Sequence, residues 1–172
     1  MMLVVACTLG SDAVTTTTAP VTSTTTTSTT LPPTTSTTVL PTTTTTLSLG
    51  DLADWEVGTV VVDGAELMVA VADDPGERAQ GLMGVDDLGS LAGMLFVYES
   101  DSEGGFWMKD TIIPLDIAFF AADGTLVNLQ RMEPCRADPC PFYHAGVPYR
   151  WALEVPAGDL DGLGPDATLV VA

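Results

Sequence analysis

Basic side chains are scarce in this chain. Five Lys and Arg stand against 23 Asp and Glu, for a formal charge of −18. From Glu56 onward all five basic residues meet 20 acidic ones, a surface that repels phosphate backbones and argues against nucleic-acid binding. The balance reads first as a solvated acidic coat that aids solubility, and second as an attraction for cations. Long apolar runs are missing as well. No stretch approaches the roughly 20 residues of a membrane-spanning helix. Histidine occurs once and cysteine three times, so any metal or disulfide reading must rest on very few side chains.

The first third also lacks periodicity. The chain opens MMLVVACTLG, in which Val4-Val5-Ala6-Cys7 has the form of a lipobox, with Cys7 as the residue that bacterial lipoproteins acylate. Only six residues precede Cys7, short of the 7 to 15 apolar residues of a secretory signal, which fits a true start upstream of Met1. Residues 8–54 follow as a Thr/Ser/Pro-rich linker, interrupted by prolines at 20, 32, 33 and 41. It has nothing apolar to bury on either face, so a disordered, extended stalk is expected. Such composition is typical of O-glycosylated stalks and equally of bare linkers. At about 3.1 Å per residue it could hold a head as much as roughly 120 Å from an anchor.

From about Trp55 the texture changes, and residues 55–172 can build one core. VGTVVVDGAELMVAVA reads as two strands joined by a tight Asp63-Gly64 turn. In DDPGERAQGLMG, Asp74 can cap a helix, Pro75 suits its first position and Glu77 completes a capping box, predicting a short helix over 75–82. GMLFVYE, FWMK, LDIAFF, TLVNLQRM, YRWALEV and ATLVVA follow as strands between Gly, Asp and Pro clusters. The pattern predicts a mostly β, small antiparallel barrel-like domain with one short helix rather than alternating βαβ units.

These blocks closely resemble the domain of unknown function 192 family. The residues that carry the likeness are VADDPGERAQGLMG, GMLFVYE, FWMKDTIIPLDIAFFAADG and WALEVPAG, from about Val60 to Val171. One departure is Asp110, where that family usually shows asparagine. The resemblance implies a compact, mostly β domain, commonly exported, and brings no activity or cofactor with it.

The stretch FWMKDTIIPLDIAFF holds the main candidate site. Leu115, Ile117 and Phe119 share one strand face, while Asp116 shares the other with Ala118 and Phe120. A buried carboxylate needs hydrogen bonds or a cation, and Arg78 and Lys109 are the leading partners in the sequence. Asp116 then either locks the corner and helix together, or lines a polar pocket with Arg78, Trp107, Lys109, Asp110 and Thr111. No nucleophile elbow is present. Glu154 shares a face with Arg150, and an ordinary ion pair is expected there.

Cys135 and Cys140, in RMEPCRADPCPFYH, are expected to form a disulfide in an oxidising envelope. A zinc site with His144 and Asp138 is the lesser alternative, because no second Cys/His pair exists. Cys7 is then the odd cysteine, as lipidation requires. Met83, Met94, Met108 and Met132 could bind Cu(I) through thioethers, though each lies in an apolar block and suits core packing. Trp107, Trp151 and Tyr149 likewise read as core or pocket wall.

The sequence thus points to an envelope-anchored, non-catalytic binding or accessory module with a monomeric head and a membrane link through Cys7. The alternatives are an enzyme acting on a small anionic cell-surface substrate with Asp116, Lys109 and Arg78, and a Cu(I) binder. No cofactor is implied.

Overall fold

A computed structural model of the chain describes residues 49–172. The expected lipobox at Cys7 and most of the expected stalk lie outside the described residues. The linker's last residues do not. Gly50–Leu52 form a 3-10 turn in which Leu52 is fully buried, with Leu49 and Trp55 packed on the same core. Apolar residues three apart lie above one another on such a turn, so this short piece docks as part of the head. Asp51 fastens it by accepting the N–H groups of Asp86 and Asp87, both at 3.2 Å.

The strands are β1 (Val57–Val62), β2 (Ala65–Ala72), β3 (Gly93–Ser102), β4 (Gly105–Trp107), β5 (Leu115–Phe120), β6 (Leu126–Met132), β7 (Phe142–His144), β8 (Tyr149–Pro156) and β9 (Leu169–Val171), with helix α1 at Pro75–Gln80. The β1–β2 hairpin turns at Asp63 and Gly64, both at positive φ (48° and 85°), as the right-handed twist of a two-residue hairpin requires. A seven-stranded sheet runs β6-β5-β8-β3-β2-β1-β9, and β4 and β7 form a separate ribbon.

The mostly β, barrel-like architecture with one short helix holds, with one difference in strand direction. β2 and β3 are parallel. Parallel neighbours need a crossover, and α1 with the segment to Gly93 supplies it, so one βαβ unit sits inside an otherwise antiparallel sheet. The sheet also curls. The N–H of Leu126 donates to Ala167 at 3.0 Å and that of Leu169 to Gly124 at 2.8 Å. These bonds join β9, at one edge, to the β5–β6 turn at the other, giving a half-barrel.

β5 shows how the sheet builds two cores. All six of its residues are buried. Leu115, Ile117 and Phe119 enter a cluster with Met94, Phe96, Phe106 and Tyr149. Ala118 and Phe120 enter another with Val60, Leu153, Val155 and Leu169. Each fully buried Ile or Phe contributes about 1.5–3 kcal/mol relative to exposure. The first cluster is tightened by aromatic edges, with Phe106 centred 4.9 Å from Phe96 and 5.6 Å from Phe119.

Candidate functional site

Helix α1 begins as the sequence suggests. Asp74 Oδ1 accepts the N–H groups of Gly76 and Glu77 at 2.6 and 2.8 Å, and Glu77 reaches back to the N–H of Asp74 at 3.3 Å. The helix ends at Gln80 rather than residue 82, because Gly81 at φ 49° turns the chain out of helical geometry. Arg78 ties it to the sheet. Its Nη1 donates to the carbonyls of Asp73 and of Val97, the latter at 2.9 Å, and its guanidinium lies 5.0 Å from the centre of the Tyr98 ring.

The segment after α1 then meets the β4–β5 corner. Met83 pairs with Thr111 as an isolated bridge, and the N–H of Gly84 donates to Asp110 at 2.9 Å. Asp110 itself adopts φ 56°, the left-handed region that Asp and Asn tolerate better than other side chains with a Cβ. Trp107 stacks on Phe142 with centroids 5.6 Å apart, and Lys109 Nζ sits 5.5 Å from the Trp107 ring and 3.7 Å from Asp138. The corner is thus a seat for the segment that follows α1, through main-chain bonds.

Asp116 does not take part in that seat. It is 2 % exposed and pairs with Arg131, its register partner on β6, rather than with Arg78 or Lys109. Arg131 Nε and Nη2 donate to its two oxygens at 2.8 and 3.1 Å, and the N–H of Gly158 donates to Oδ2 at 2.7 Å. Burial opposes ionisation here, but the Arg131 guanidinium and the Gly158 N–H outweigh it and hold the carboxyl below its usual range. Arg131 also reaches Asp161 at 2.7 Å. Six sequence-chosen residues thus fall into three groups. Arg78, Trp107 and Thr111 border one cavity, Lys109 and Asp110 form the corner beside it, and Asp116 belongs to a separate clasp.

The residue that sequence reasoning undervalued is Glu154. Its expected partner Arg150 instead binds Asp101, at 3.1 and 2.8 Å. Glu154 lies between Met94 on β3 and Ile117 on β5, is 4 % exposed, and makes no hydrogen bond or ion pair among the described residues. No side-chain oxygen among those residues is both sealed from solvent and unpartnered, so the Glu154 carboxyl must open into the cavity it lines. That cavity holds about 30 Å³ and is bordered by Arg78, Leu82, Phe96, Phe106, Trp107 and Thr111. Burial in this apolar setting pushes the Glu154 carboxyl up to about 8. The available signal was its place in WALEV, a carboxylate amid apolar residues in a chain with too few cations to pair it.

Cys135 and Cys140 form a disulfide with Cα atoms 5.6 Å apart, so neither thiol is free to ligate zinc with His144 and Asp138. Met94, Met108 and Met132 are fully buried in the first core cluster, and Met83 is half-buried at the cavity. Among the described residues no helix is long and apolar enough to cross a membrane.

The profile of the family described as DUF192, uncharacterized ACR, matches residues 58–170. A solved protein of Sinorhizobium meliloti 1021, provisionally named a transcription regulator, shares 30 % identity at a TM-score of 0.62. The match covers 68 % of this chain and 95 % of that one. A protein of unknown function from Novosphingobium aromaticivorans DSM 12444 shares 25 % identity at the same TM-score, covering 74 % of this chain and 94 % of that one. No curated protein matches.

Proposed function

The chain belongs to the DUF192 family, and from that premise we propose that its head is a non-catalytic binding module of the cell envelope, with the Glu154 cavity as its ligand seat. One observation carries this reading: a carboxyl buried without a partner, opening into a cavity walled by Phe96, Phe106 and Trp107. Such a group is costly to keep unless water or a ligand bonds it in the cavity, which makes it the natural anchor of a ligand seat. A second titratable group for acid–base work is lacking there, since the lining holds no histidine, cysteine or other carboxylate. The enzyme alternative built on Asp116 loses support for a different reason. Three N–H groups, from Arg131 and Gly158, already bond that carboxylate, and it is held ionised by a clasp rather than facing a substrate.

The envelope part of the reading draws on the disulfide, which suits an oxidising compartment, and on the lipobox-like Val4–Cys7. The Cu(I) reading is weakened by the burial of three of its four methionines. The name given to the Sinorhizobium protein transfers poorly, because 23 acidic residues against five basic ones oppose a DNA backbone.

Amide NMR of the full chain against a library of small alcohols, amides, amines and carboxylic acids tests the seat. Shifts gathered on Gly81, Met83, Trp107 and Thr111 are expected. Shifts gathered at Asp116 and Gly158, or none, would remove the reading. Mass spectrometry of membrane-extracted protein tests the anchor: a diacylglyceryl group on Cys7 supports it, and an unmodified Cys7 ends it.

A further inference from the structure

We propose that the Glu154 cavity receives a primary alkylammonium group, which forms an ion pair with the Glu154 carboxylate as that carboxyl gives up its proton to solvent. The inference rests on the binding-module reading and adds the chemical class of the ligand.

Size comes first. The space open to water-sized groups is small, about 30 Å³, against the roughly 10–15 Å³ that one water needs. An ammonium head fits that space with its alkyl stem outside. The walls come second: Phe96, Phe106 and Trp107 border the cavity, and an aromatic face attracts a cation rather than an anion, as Trp107 already does with Lys109 Nζ at 5.5 Å. The C-terminal turn of α1, at Ala79–Gly81, forms another wall and is the negative end of its helix. The wider field agrees, since the acidic head concentrates cations and repels anions.

The groups facing Glu154 leave room for this pair. Arg78 on α1 is the one cation at the cavity, and its guanidinium is already committed to the carbonyls of Asp73 and Val97 and to the Tyr98 face. Tyr98 on β3 is kept protonated by burial and by its neighbour Tyr149, so its phenol supplies no charge. With nothing in the cavity, the buried carboxyl stays neutral near pH 7. An entering R–NH3⁺ stabilises the carboxylate, and the carboxyl proton passes to water, so charge and atoms balance.

The test uses full-length protein at pH 7 and near-physiological salt, titrated with 1,5-diaminopentane, Nα-acetyl-lysine N-methylamide, 1-pentanol and pentanoate, with pH-stat readout. Both amines are expected to bind with release of about one proton each, and Glu154→Gln should weaken them at least tenfold and abolish the release. Gln resembles the neutral carboxyl already present, so the variant should fold, which circular dichroism checks. Tighter binding of the lysine derivative would identify a protein side chain as the source, and tighter binding of the diamine a free amine. Binding of pentanol or pentanoate without the amines would overturn the ammonium assignment and leave the ligand seat standing. Amine binding that is equal in both proteins and releases no proton would reduce the effect to adsorption on the acidic coat and overturn the proposal. Silence from all four probes would remove both the proposal and the seat.

Discussion

Asp116 and Arg131 face each other at paired positions of β5 and β6, joined by hydrogen bonds of 2.8 and 3.1 Å. With Gly158 and Asp161 they bind the two strands to the turn that follows β8. A charged side chain in the second core face is thereby turned into a fastening.

Asp116→Asn keeps an oxygen for the Gly158 N–H but loses the charge that holds Arg131. A loss of about 2 kcal/mol is expected, read as a lower urea midpoint at unchanged slope. Because the folded carboxyl titrates below its usual range, this contribution is present above the unfolded-state value and disappears as pH falls through the folded one. Wild type should therefore lose its advantage over the variant in acid. A variant as stable as wild type at pH 7 would show that the clasp does not support the fold.

Asp110 holds the corner at φ 56°, where a Cβ without a compensating local bond costs about 1–2 kcal/mol. Asp110→Ala should lower the melting temperature, while Asp110→Asn and Asp110→Gly should match or exceed wild type. Equal melting of all four proteins would mean that the corner relaxes out of this conformation easily.

What could be read from sequence was local. The Asp63-Gly64 turn, the Asp74/Glu77 capping box and the alternation along Leu115–Phe120 depend on neighbours a few residues away, and the structure has each. The partners of Asp116 and Glu154 depend on register. Arg131 meets Asp116 because β6 folds back with Leu115 opposite Met132, an alignment that no local pattern specifies. Arg150 misses Glu154 because it lies toward Asp101, inside the irregularity in the β3–β8 pairing between Val97 and Ser102. Leu52 was hidden by its company, a single apolar turn at the end of a Thr-rich tract.

The Cys135–Cys140 disulfide fixes the segment that lies beside the β4 end, where the N–H of Cys135 donates to Met108 at 3.1 Å. Closing so short a loop contributes about 2 kcal/mol. Reduction with a phosphine should lower stability by that amount, and amide exchange should quicken chiefly at Lys109 and the residues around Cys135. Exchange that quickens evenly across the sheet would show that the bridge supports the whole head rather than this segment.

Glu154 makes stability depend on pH in the opposite sense to Asp116. Burial raises its folded-state value to about 8 from an ordinary 4.5, so between those values the folded protein binds a proton that the unfolded chain has released. Stability then falls as pH rises through this window, by about 1.4 kcal/mol per pH unit, and levels off above it. Glu154→Gln carries no titrating group and should lose this slope, standing above wild type at pH 8 and close to it near pH 5. Urea midpoints of both proteins from pH 5 to pH 9 measure the difference directly. Parallel curves would mean that Glu154 is charged and partnered in the folded state, and that its cavity is not the ligand seat proposed for it.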